Sequence, residues 1–444
     1  MNDKKRSLRM RNINDTLLAK GFGGLKSSFY IPTLDLSNRT ITDIDLQGKT
    51  NFKNAKFTGS ILNDVTFKNV DFTGANFFNA TLNSVRFESC ILTGVNFTEA
   101  KLYTKIIKSS SNTEDYEYTY TSFVNIDKFN NALFKKAKLY GVAFENCNLT
   151  KADFSEAQLT VISDEDEEYA EEYTIFNNVN LKEANFTSAD LYSVSFIKNV
   201  NLRNANFTKA ILTYLVLDYF DVFLEDTLFV GALIRNVNFL NANYFGDPEN
   251  EDIDDGSNIL SGLNFSSATL EDVNLSDLIF KNVNFSNARL LNVNLAYSDL
   301  AYSNFSKAII ESDNGTTNLE YTGNLEYTIF KNADLSGAKI INEYNDGILF
   351  DGADLDNAEF TDCFFSFFSF DGATLENAEF TDCFLSYFSF DDTKFGVNSG
   401  GVDTRTTFHD CVIEISNQND VVLFIDNVSI KKSFINDVYF EEYL

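Results

Sequence analysis

Two adjacent stretches of the chain repeat each other over 20 residues. Phe350–Ser369 reads FDGADLDNAEFTDCFFSFFS and Phe370–Ser389 reads FDGATLENAEFTDCFLSYFS, with 16 of the 20 positions identical. In both stretches a large apolar residue, here called the centre, recurs every fifth position, and a small residue usually stands two positions before it. A tandem copy of 20 residues predicts that each side chain lies above its own copy, so Phe350, Phe370 and Phe390 are expected to stack in the core.

The five-residue period extends well beyond this duplication. From position 52 to 102 every fifth residue is a centre: Phe52, Phe57, Leu62, Phe67, Phe72, Phe77, Leu82, Phe87, Leu92, Phe97 and Leu102. A period of five fits neither the 3.6-residue turn of a helix nor the two-residue alternation of a strand. It fits a square coil, in which four five-residue sides make a 20-residue turn and successive turns stack about 4.8 Å apart.

The repeat resembles that of the pentapeptide-repeat family, whose motif is A-(D/N)-L-x-x. Ala152-Asp153-Phe154, Ala189-Asp190-Leu191 and Ala353-Asp354-Leu355 match this motif. The resemblance implies an all-β fold, a right-handed quadrilateral β-helix solenoid of about 15 coils interrupted by surface loops.

The repeat also predicts the domain organisation. Residues 1–33 lack it and are expected to form an N-terminal tail or cap, and residues 34–444 are expected to form a single β-helix. Loop insertions are expected near 103–128, 160–175, 240–259, 311–328, 396–407 and 414–427. A solenoid tolerates such insertions because each one lies on its surface.

The cysteines provide an independent check on which positions point inward. All five stand two residues before a centre, in the small inward position: Cys90, Cys147, Cys363, Cys383 and Cys411. They are expected to be buried, reduced core residues and not disulfides or metal ligands, which suits a cytoplasmic protein.

The composition argues against catalysis. One histidine in 444 residues nearly excludes a histidine metal site or a Ser-His-Asp relay. The chain carries no phosphate-binding G-x-x-x-x-G-K-[ST] and no G-x-S-x-G motif. We therefore expect no catalytic residue, no cofactor and no metal, and we expect the protein not to be an enzyme.

The charge restricts the partners. With 35 Lys and Arg against 65 Asp and Glu, the net charge of -30 argues against direct binding of nucleic acid, and no apolar run is long enough to span a membrane. Two predicted loops are strongly acidic, and their carboxylates are candidates for binding a basic partner: Asp164, Glu165, Asp166, Glu167, Glu168, Glu171, Glu172, Asp252, Asp254 and Asp255. The alternatives are plain solvated loops or, at 252–255, calcium binding, although the spacing is not that of an EF-hand.

Outward-facing side chains in the duplicated turns form a second candidate surface. Phe364 and Phe384 precede their centres and Phe367 and Tyr387 follow theirs by two, so they are expected to form an exposed aromatic strip. Such a strip indicates partner binding or a homodimer through the C-terminal end, unless loop 396–407 covers it. Carboxylates are expected to stack beside it, Asp351 with Asp371 and Asp391, Glu359 with Glu379, and Asp362 with Asp382.

Two functions follow as competing hypotheses. The first is a noncatalytic protein-interaction scaffold with an acidic, rod-like surface. The second comes from the resemblance, because some pentapeptide-repeat proteins mimic DNA and bind type II topoisomerases such as gyrase. Both hypotheses predict a protein partner with a basic or DNA-binding surface.

Overall fold

The fold was analysed in a computed structural model of the chain. It describes residues 7–9, 34–48, 51–108, 116–160, 173–217, 222–239, 262–276, 278–296, 298–311, 317–320, 325, 328–335, 338–341, 345–399, 402–415, 424, 428–436 and 438–443. The chain divides into two compact units, unit 1 from Met1 to Leu224 and unit 2 from Glu225 to Leu444.

Each five-residue unit turns a corner through its second residue after the centre, here called the corner residue. In the unit around Phe52, the corner residue Asn54 has φ 56°, and the N–H of Ala55 donates to the carbonyl of Phe52 at 3.0 Å. A turn with positive φ at its third position favours Gly, Asn or Asp, because these residues enter the left-handed region at least cost. This explains why Asn, Asp, Gly and Ser recur at the corners.

The centre and the small residue before it fill the interior. Ala75 and Phe77 are both fully buried, and the N–H of Phe77 donates to the carbonyl of Asn96 on the next turn at 2.7 Å. The residue between them, Asn76, points outward, and its side-chain oxygen accepts the N–H of Phe78 at 2.9 Å. Each side of the square is thus joined to the next turn, and the motif A-N-F follows from one inward, one outward and one inward position.

Unit 1 consists of strands that pair in parallel from turn to turn, apart from one antiparallel hairpin, β6–β7. Its strands are β1 Ser7–Arg9, β2 Thr40–Gln47, β3 Ile61–Lys68, β4 Thr81–Glu88, β5 Lys101–Tyr103, β6 Lys105–Lys108, β7 Tyr116–Thr119, β8 Ser122–Ile126, β9 Lys138–Tyr140, β10 Ala143–Asn148, β11 Gln158–Thr160, β12 Ile175–Asn180, β13 Asp190–Tyr192, β14 Ser195–Ile197, β15 Val200–Asn201, β16 Ile211–Thr213, β17 Val216–Leu217 and β18 Val222–Phe223. At the N-terminal end, β1 pairs with Thr40–Thr42 and covers the first turn.

The core of unit 1 contains two continuous columns of stacked phenylalanines. One column runs Phe57, Phe77, Phe97, Phe134, Phe154, Phe186 and Phe207, with ring centroids 4.4 to 5.1 Å apart. The other runs Phe67, Phe87, Phe123, Phe144, Phe176 and Phe196. Phe123 lies inside the segment expected to be a loop, 103–128, so only part of that segment is an insertion.

Unit 2 has the same parallel architecture, with antiparallel pairing at β30–β31 and β34–β35. Its strands are β19 Leu233–Arg235, β20 Thr269–Glu271, β21 Arg289–Leu291, β22 Ile309–Glu311, β23 Thr317–Glu320, β24 Ala338–Ile341, β25 Asn345–Asp346, β26 Glu359–Thr361, β27 Phe364–Ser366, β28 Glu379–Thr381, β29 Phe384–Ser386, β30 Asn398–Ser399, β31 Val402–Asp403, β32 Thr407–His409, β33 Val412–Glu414, β34 Ser429–Ile435 and β35 Val438–Tyr443. The β34–β35 hairpin pairs the last parallel strand, so that strand does not present a bare edge.

The stacking expected from the 20-residue duplication holds for its first two rings and fails at the third. Phe350 and Phe370 are buried and stack at 5.5 Å. Phe390 is only half-buried, and its ring packs against Phe395 and Phe424 at 5.9 and 5.6 Å. After Phe395 the chain leaves the regular coil through β30–β31, so no further ring of this column covers Phe390.

All five cysteines are free and buried. The thiols of Cys363, Cys383 and Cys411 approach the carbonyls of Ile340, Phe360 and Phe380 at 3.4 to 3.5 Å. Burial raises the pKa of Cys90 to about 11 and that of Cys147 to about 12, so the thiols stay protonated at neutral pH. All named elements of the described residues are strands, and the prediction of an all-β parallel solenoid is confirmed.

Candidate interaction surface

Almost all of the net negative charge of the chain lies in unit 2. Met1–Leu224 carries 25 Lys and Arg against 27 Asp and Glu, whereas Glu225–Leu444 carries 10 against 38. Within positions 345–415 the imbalance is 15 acidic residues against two basic ones, Lys394 and Arg405. A candidate surface for a basic partner therefore lies in unit 2.

In unit 1 several acidic side chains lie next to basic ones. Glu156 contacts the amines of Lys135 and Lys136 at 3.2 and 3.4 Å, and Lys53 contacts Asp71 at 3.3 Å. The hydrogen bond from Lys135 lowers the pKa of Glu156 below its usual value. These are exposed pairs of small energetic value, and with 25 basic and 27 acidic residues unit 1 has little net charge.

Three corner carboxylates of unit 2 fall in one column. Thr361 pairs with Thr381, which pairs with His409, and the next residue in each case is an aspartate with positive φ: Asp362, Asp382 and Asp410. The Nδ1 atom of His409 lies 3.2 Å from Asp410 Oδ2. On the same strands Glu359 lies directly opposite Glu379, so like charges are stacked along the turns.

A second carboxylate column consists of Asp351, Asp371 and Asp391. The register is fixed by Gly352 and Gly372, whose N–H groups donate to the carbonyls of Asp371 and Asp391, both at 2.7 Å. The N–H of Asp391 donates to Asp371 Oδ1 at 2.8 Å, and the amine of Lys331 lies 3.8 Å from Asp351. These contacts offset part of the repulsion within the column.

Between these two columns lie aromatic side chains. Phe364 stacks on Phe384 with centroids 4.4 Å apart, and Phe367 stacks on Tyr387 at 4.9 Å, each pair within 7° of parallel. Phe367 is 64 % exposed and Tyr387 is 57 % exposed, so neither β30–β31 nor another described segment covers them. We use the name acid–aromatic wall for the set Asp362, Asp382, Asp410, Phe364, Phe384, Phe367 and Tyr387.

The backbone of this wall is strained where its rings are most exposed. Phe367 and Tyr387 are corner residues with φ 54° and 50°. For a residue with a side chain, the left-handed region costs about 1–2 kcal/mol, and bulky residues are rarely found there. Tyr214 and Tyr302 adopt the same conformation at other corners, so the strain follows from the coil, and what distinguishes Phe367 and Tyr387 is that their rings stack on each other.

The apolar part of the wall continues beyond what the sequence indicated. Phe384 pairs with Val412, which pairs with Phe434, and these two are 38 % and 43 % exposed. Phe434 also contacts the ring of Tyr439 at 5.1 Å. The missed signal was the resumption of the 20-residue register after the segment containing β30–β31, which places Val412 above Phe384.

Unit 1 has a different outward feature, a column of asparagine amides. Asn146 donates to Asn125 at 2.9 Å, Asn178 donates to Asn146 at 2.7 Å, and Asn199 donates to Asn178 at 2.9 Å. Of this column, Asn146, Asn178 and Asn199 line an open groove of about 370 Å³, whose lining also includes Asp127, Asn148, Asn180 and Asn201. This column was not predicted from the sequence, although Asn recurs there at each turn.

The acidic loop candidates lie outside the described residues. They are Asp164, Glu165, Asp166, Glu167, Glu168, Glu171, Glu172, Asp252, Asp254 and Asp255. In the described ranges, no group of three or more His, Cys, Asp or Glu side chains is arranged to hold a metal ion. Within the same ranges, no helix is long and apolar enough to cross a bilayer.

A parallel solenoid built from five-residue units, with its interior filled by every fifth residue, defines a class of repeat protein. Two family models match the chain: "Pentapeptide repeat region" at residues 48–117, and "Pentapeptide repeats (8 copies)" at 128–160, 172–198, 259–295, 280–311 and 349–386. The chain belongs to the pentapeptide-repeat family.

The solved structures similar to this chain include other pentapeptide-repeat proteins. HetL, involved in heterocyst differentiation regulation in the cyanobacterium Nostoc sp., is 18% identical over 79% of this chain and 97% of its own, with a TM-score of 0.17. QnrB1, a plasmid-mediated fluoroquinolone resistance protein, is 17% identical over 62% of this chain and 94% of its own, with a TM-score of 0.23. Rfr23 from the cyanobacterium Cyanothece is 22% identical over 34% of this chain and 85% of its own, with a TM-score of 0.17. A comparison with curated proteins gives no match.

Proposed function

We propose that this protein is a noncatalytic interaction scaffold whose acid–aromatic wall binds a basic surface of a partner protein. The observation that carries this proposal is the position of exposed, stacked rings between in-register carboxylate columns, in a unit with 10 basic and 38 acidic residues. Solenoids supply extended binding surfaces of this kind. The buried free thiols favour a reducing compartment, and we place the protein in the cytoplasm.

Electrostatics determines how such a surface would work. A one-signed field accelerates association with a basic partner, and the rings supply apolar contact once the partner has docked. The screening length falls from about 10 Å at 0.1 M salt to about 3 Å at 1 M, so association should slow steeply over that range.

The test neutralises the corner carboxylates of the wall. The triple variant Asp362→Asn, Asp382→Asn, Asp410→Asn keeps side chains that suit positive φ, so the fold should be retained. A matched control in unit 1 is Asp43→Asn with Asp64→Asn, also corner residues with positive φ. Cross-linking and mass spectrometry in the native host should lose the partner with the triple variant and keep it with the control. A partner retained equally by both would contradict the proposal.

A second candidate is mimicry of DNA at a type II topoisomerase, and the two carboxylate columns favour it. The corner residues Asp362, Asp382 and Asp410 form one column, and Asp351, Asp371 and Asp391, each directly after a centre, form another, so both columns present charges at one-turn intervals. Gyrase supercoiling assays distinguish the candidates. Inhibition or protection from a gyrase poison at micromolar protein, abolished in the triple variant, supports mimicry, and no effect on the host's gyrase or topoisomerase IV leaves the scaffold.

We also propose a homodimer through the C-terminal end, for which the continuation of the apolar column through Val412 and Phe434 provides a surface. Sedimentation analysis should then show a dimer that dissociates on Phe434→Ser. A monomer at all concentrations would rule this out.

A further inference from the structure

The two exposed rings at one corner of unit 2 form an isolated stack with two outer faces. Phe367 and Tyr387 lie parallel, 4.9 Å apart, and each keeps more than half of its surface exposed. Asn or Gly would suit their left-handed backbone better, so the backbone conformation does not require rings at these positions.

Neither outer face is covered by another ring of the same column. Asp346 pairs with Ser366, so the residue one turn below Phe367 is Gly347, which has no side chain. Ser386 pairs with Glu414, so the residue one turn above Tyr387 is Ile415, which is buried. The stack therefore ends after two rings, and each of them keeps more than half of its surface exposed.

A carboxylate stands beside each open face. The residue before Gly347 is Asp346 and the residue before Ile415 is Glu414, and both are exposed. Between them the same column carries Ser366 and Ser386, which are buried and hydrogen-bonded to each other at 2.8 Å. The column thus reads carboxylate, hydroxyl, hydroxyl, carboxylate, and its two charges flank the two-ring stack.

An aromatic face next to a carboxylate matches one side chain better than any other. The guanidinium group of arginine is planar, stacks on aromatic faces and pairs with a carboxylate through two parallel hydrogen bonds. The lysine amine is a compact, strongly hydrated charge that can form the cation–π contact but not the paired one.

The distance between the outer faces of Phe367 and Tyr387 determines how far apart two bound guanidinium groups would lie. One cation lies about one turn below Phe367 and the other about one turn above Tyr387, which are themselves one turn apart. Three turns of about 4.8 Å give about 14 Å, and an extended chain covers that distance in about four residues.

We propose that Phe367 and Tyr387, with Asp346 and Glu414, clamp two arginines four positions apart in an extended segment of the partner. This inference depends on the proposed function, because it names the chemistry of the segment bound at the same wall.

The test measures fluorescence anisotropy of labelled Gly/Ser peptides bound to the full chain. One peptide carries Arg-x-x-x-Arg, one carries Arg-x-Arg, and one carries Lys-x-x-x-Lys. The first should bind about fivefold more tightly than each of the others. The double variant Phe367→Asn, Tyr387→Asn should weaken it about twentyfold, because both ring faces are lost.

The variants also separate recognition from stability. Asn suits positive φ, so the double variant should melt at the same temperature as the native chain or higher, whereas rings needed for folding would give a lower value. The matched control is Tyr302→Asn, an exposed tyrosine at φ 61° that follows Ala301, and the residue one turn below Ala301 is Lys281, not a carboxylate. It should leave peptide affinity unchanged.

Three results would overturn the clamp: equal affinity for the arginine and lysine peptides, no preference for the four-residue spacing, or undiminished binding by the double variant. Each is distinct from failure of the proposed function. If the peptide binds the Phe367, Tyr387 double variant normally but no longer binds the Asp362, Asp382, Asp410 triple variant, the clamp is refuted and the acidic docking surface is retained.

Discussion

One column of corner residues consists of asparagines in unit 1, and another consists of aspartates in unit 2. Asn125, Asn146 and Asn178 form hydrogen-bonded amides at 2.7 to 2.9 Å, whereas Asp362 and Asp382 present like charges one turn apart. All five residues have φ between 52° and 56°, so the backbone is the same. An amide can donate to its copy on the next turn and an ionised carboxylate cannot. The interiors of the two units are therefore built in the same way, and the units differ in the chemistry of their surfaces.

The largest expected effect tests whether the interiors are equivalent. Phe154 in unit 1 stacks between Phe134 and Phe186, and Phe370 in unit 2 stacks on Phe350. Each change to Ala should lower the free energy of unfolding by about 3–5 kcal/mol, because a buried ring leaves a cavity. Urea denaturation measures both. A loss below about 1 kcal/mol in one unit alone would show that its core is less tightly packed.

The buried thiols give the second test of a shared interior. Unfolded thiols ionise near pH 8.5, whereas burial raises the pKa of Cys90 to about 11 and of Cys147 to about 12, and the thiol of Cys363 raises that of Cys383. The stabilisation is complete below about pH 8.5 and is lost as the pH rises toward the folded values. Urea denaturation between pH 8 and pH 11 should show this decline, and Cys147→Ala should reduce it. Rapid labelling of all five thiols in the native protein would contradict their burial.

Exchanging the corner residues should produce a smaller effect with opposite sign in the two units. Asn146→Asp removes the donor to Asn125 and should destabilise by about 1–2 kcal/mol at pH 7. Asp382→Asn removes a like charge and should stabilise by about 0.5 kcal/mol. Melting temperatures at pH 7 and pH 3 provide the check, because both differences should shrink once the carboxylates are protonated. Equal signs at pH 7 would mean that the amide column contributes nothing.

The smallest effect is the response to salt. Raising NaCl from 0.01 M to 0.5 M should strengthen unit 2 more than unit 1, because only unit 2 carries a large excess of one charge. Hydrogen exchange read separately in the two units should show slower exchange in unit 2 at high salt and little change in unit 1. A uniform response would indicate that local ion pairs, not net charge, dominate both.

The solenoid fold could be predicted from the sequence because the 20-residue duplication shows which residues lie above one another in successive turns. The sequence was not sufficient where an insertion interrupts the register. Phe123 lies between the β6–β7 hairpin and the next repeat, and Val412 follows the segment containing β30–β31, so neither could be assigned to a wall by counting.

Of the candidate site, the outward direction of Phe367 and Tyr387 could be deduced from the five-residue period. Their open faces could not be deduced, because they depend on Gly347 and Glu414 on neighbouring turns. The charge imbalance between the units was countable from the sequence, but the boundary at Leu224 came from the structure.

Because Phe350–Ser389 is a tandem duplication of one turn, further duplication would change the distance between the two proposed arginine-binding positions by whole turns. Copying 20 residues once more within this segment would add one ring to the Phe367–Tyr387 stack and leave Asp346 and Glu414 at its ends. The two binding positions would then move apart by one turn, about 4.8 Å, or between one and two residues of an extended partner. A single 20-residue duplication would thus change the arginine spacing that the protein recognises, while the stacking pattern of the core would stay the same.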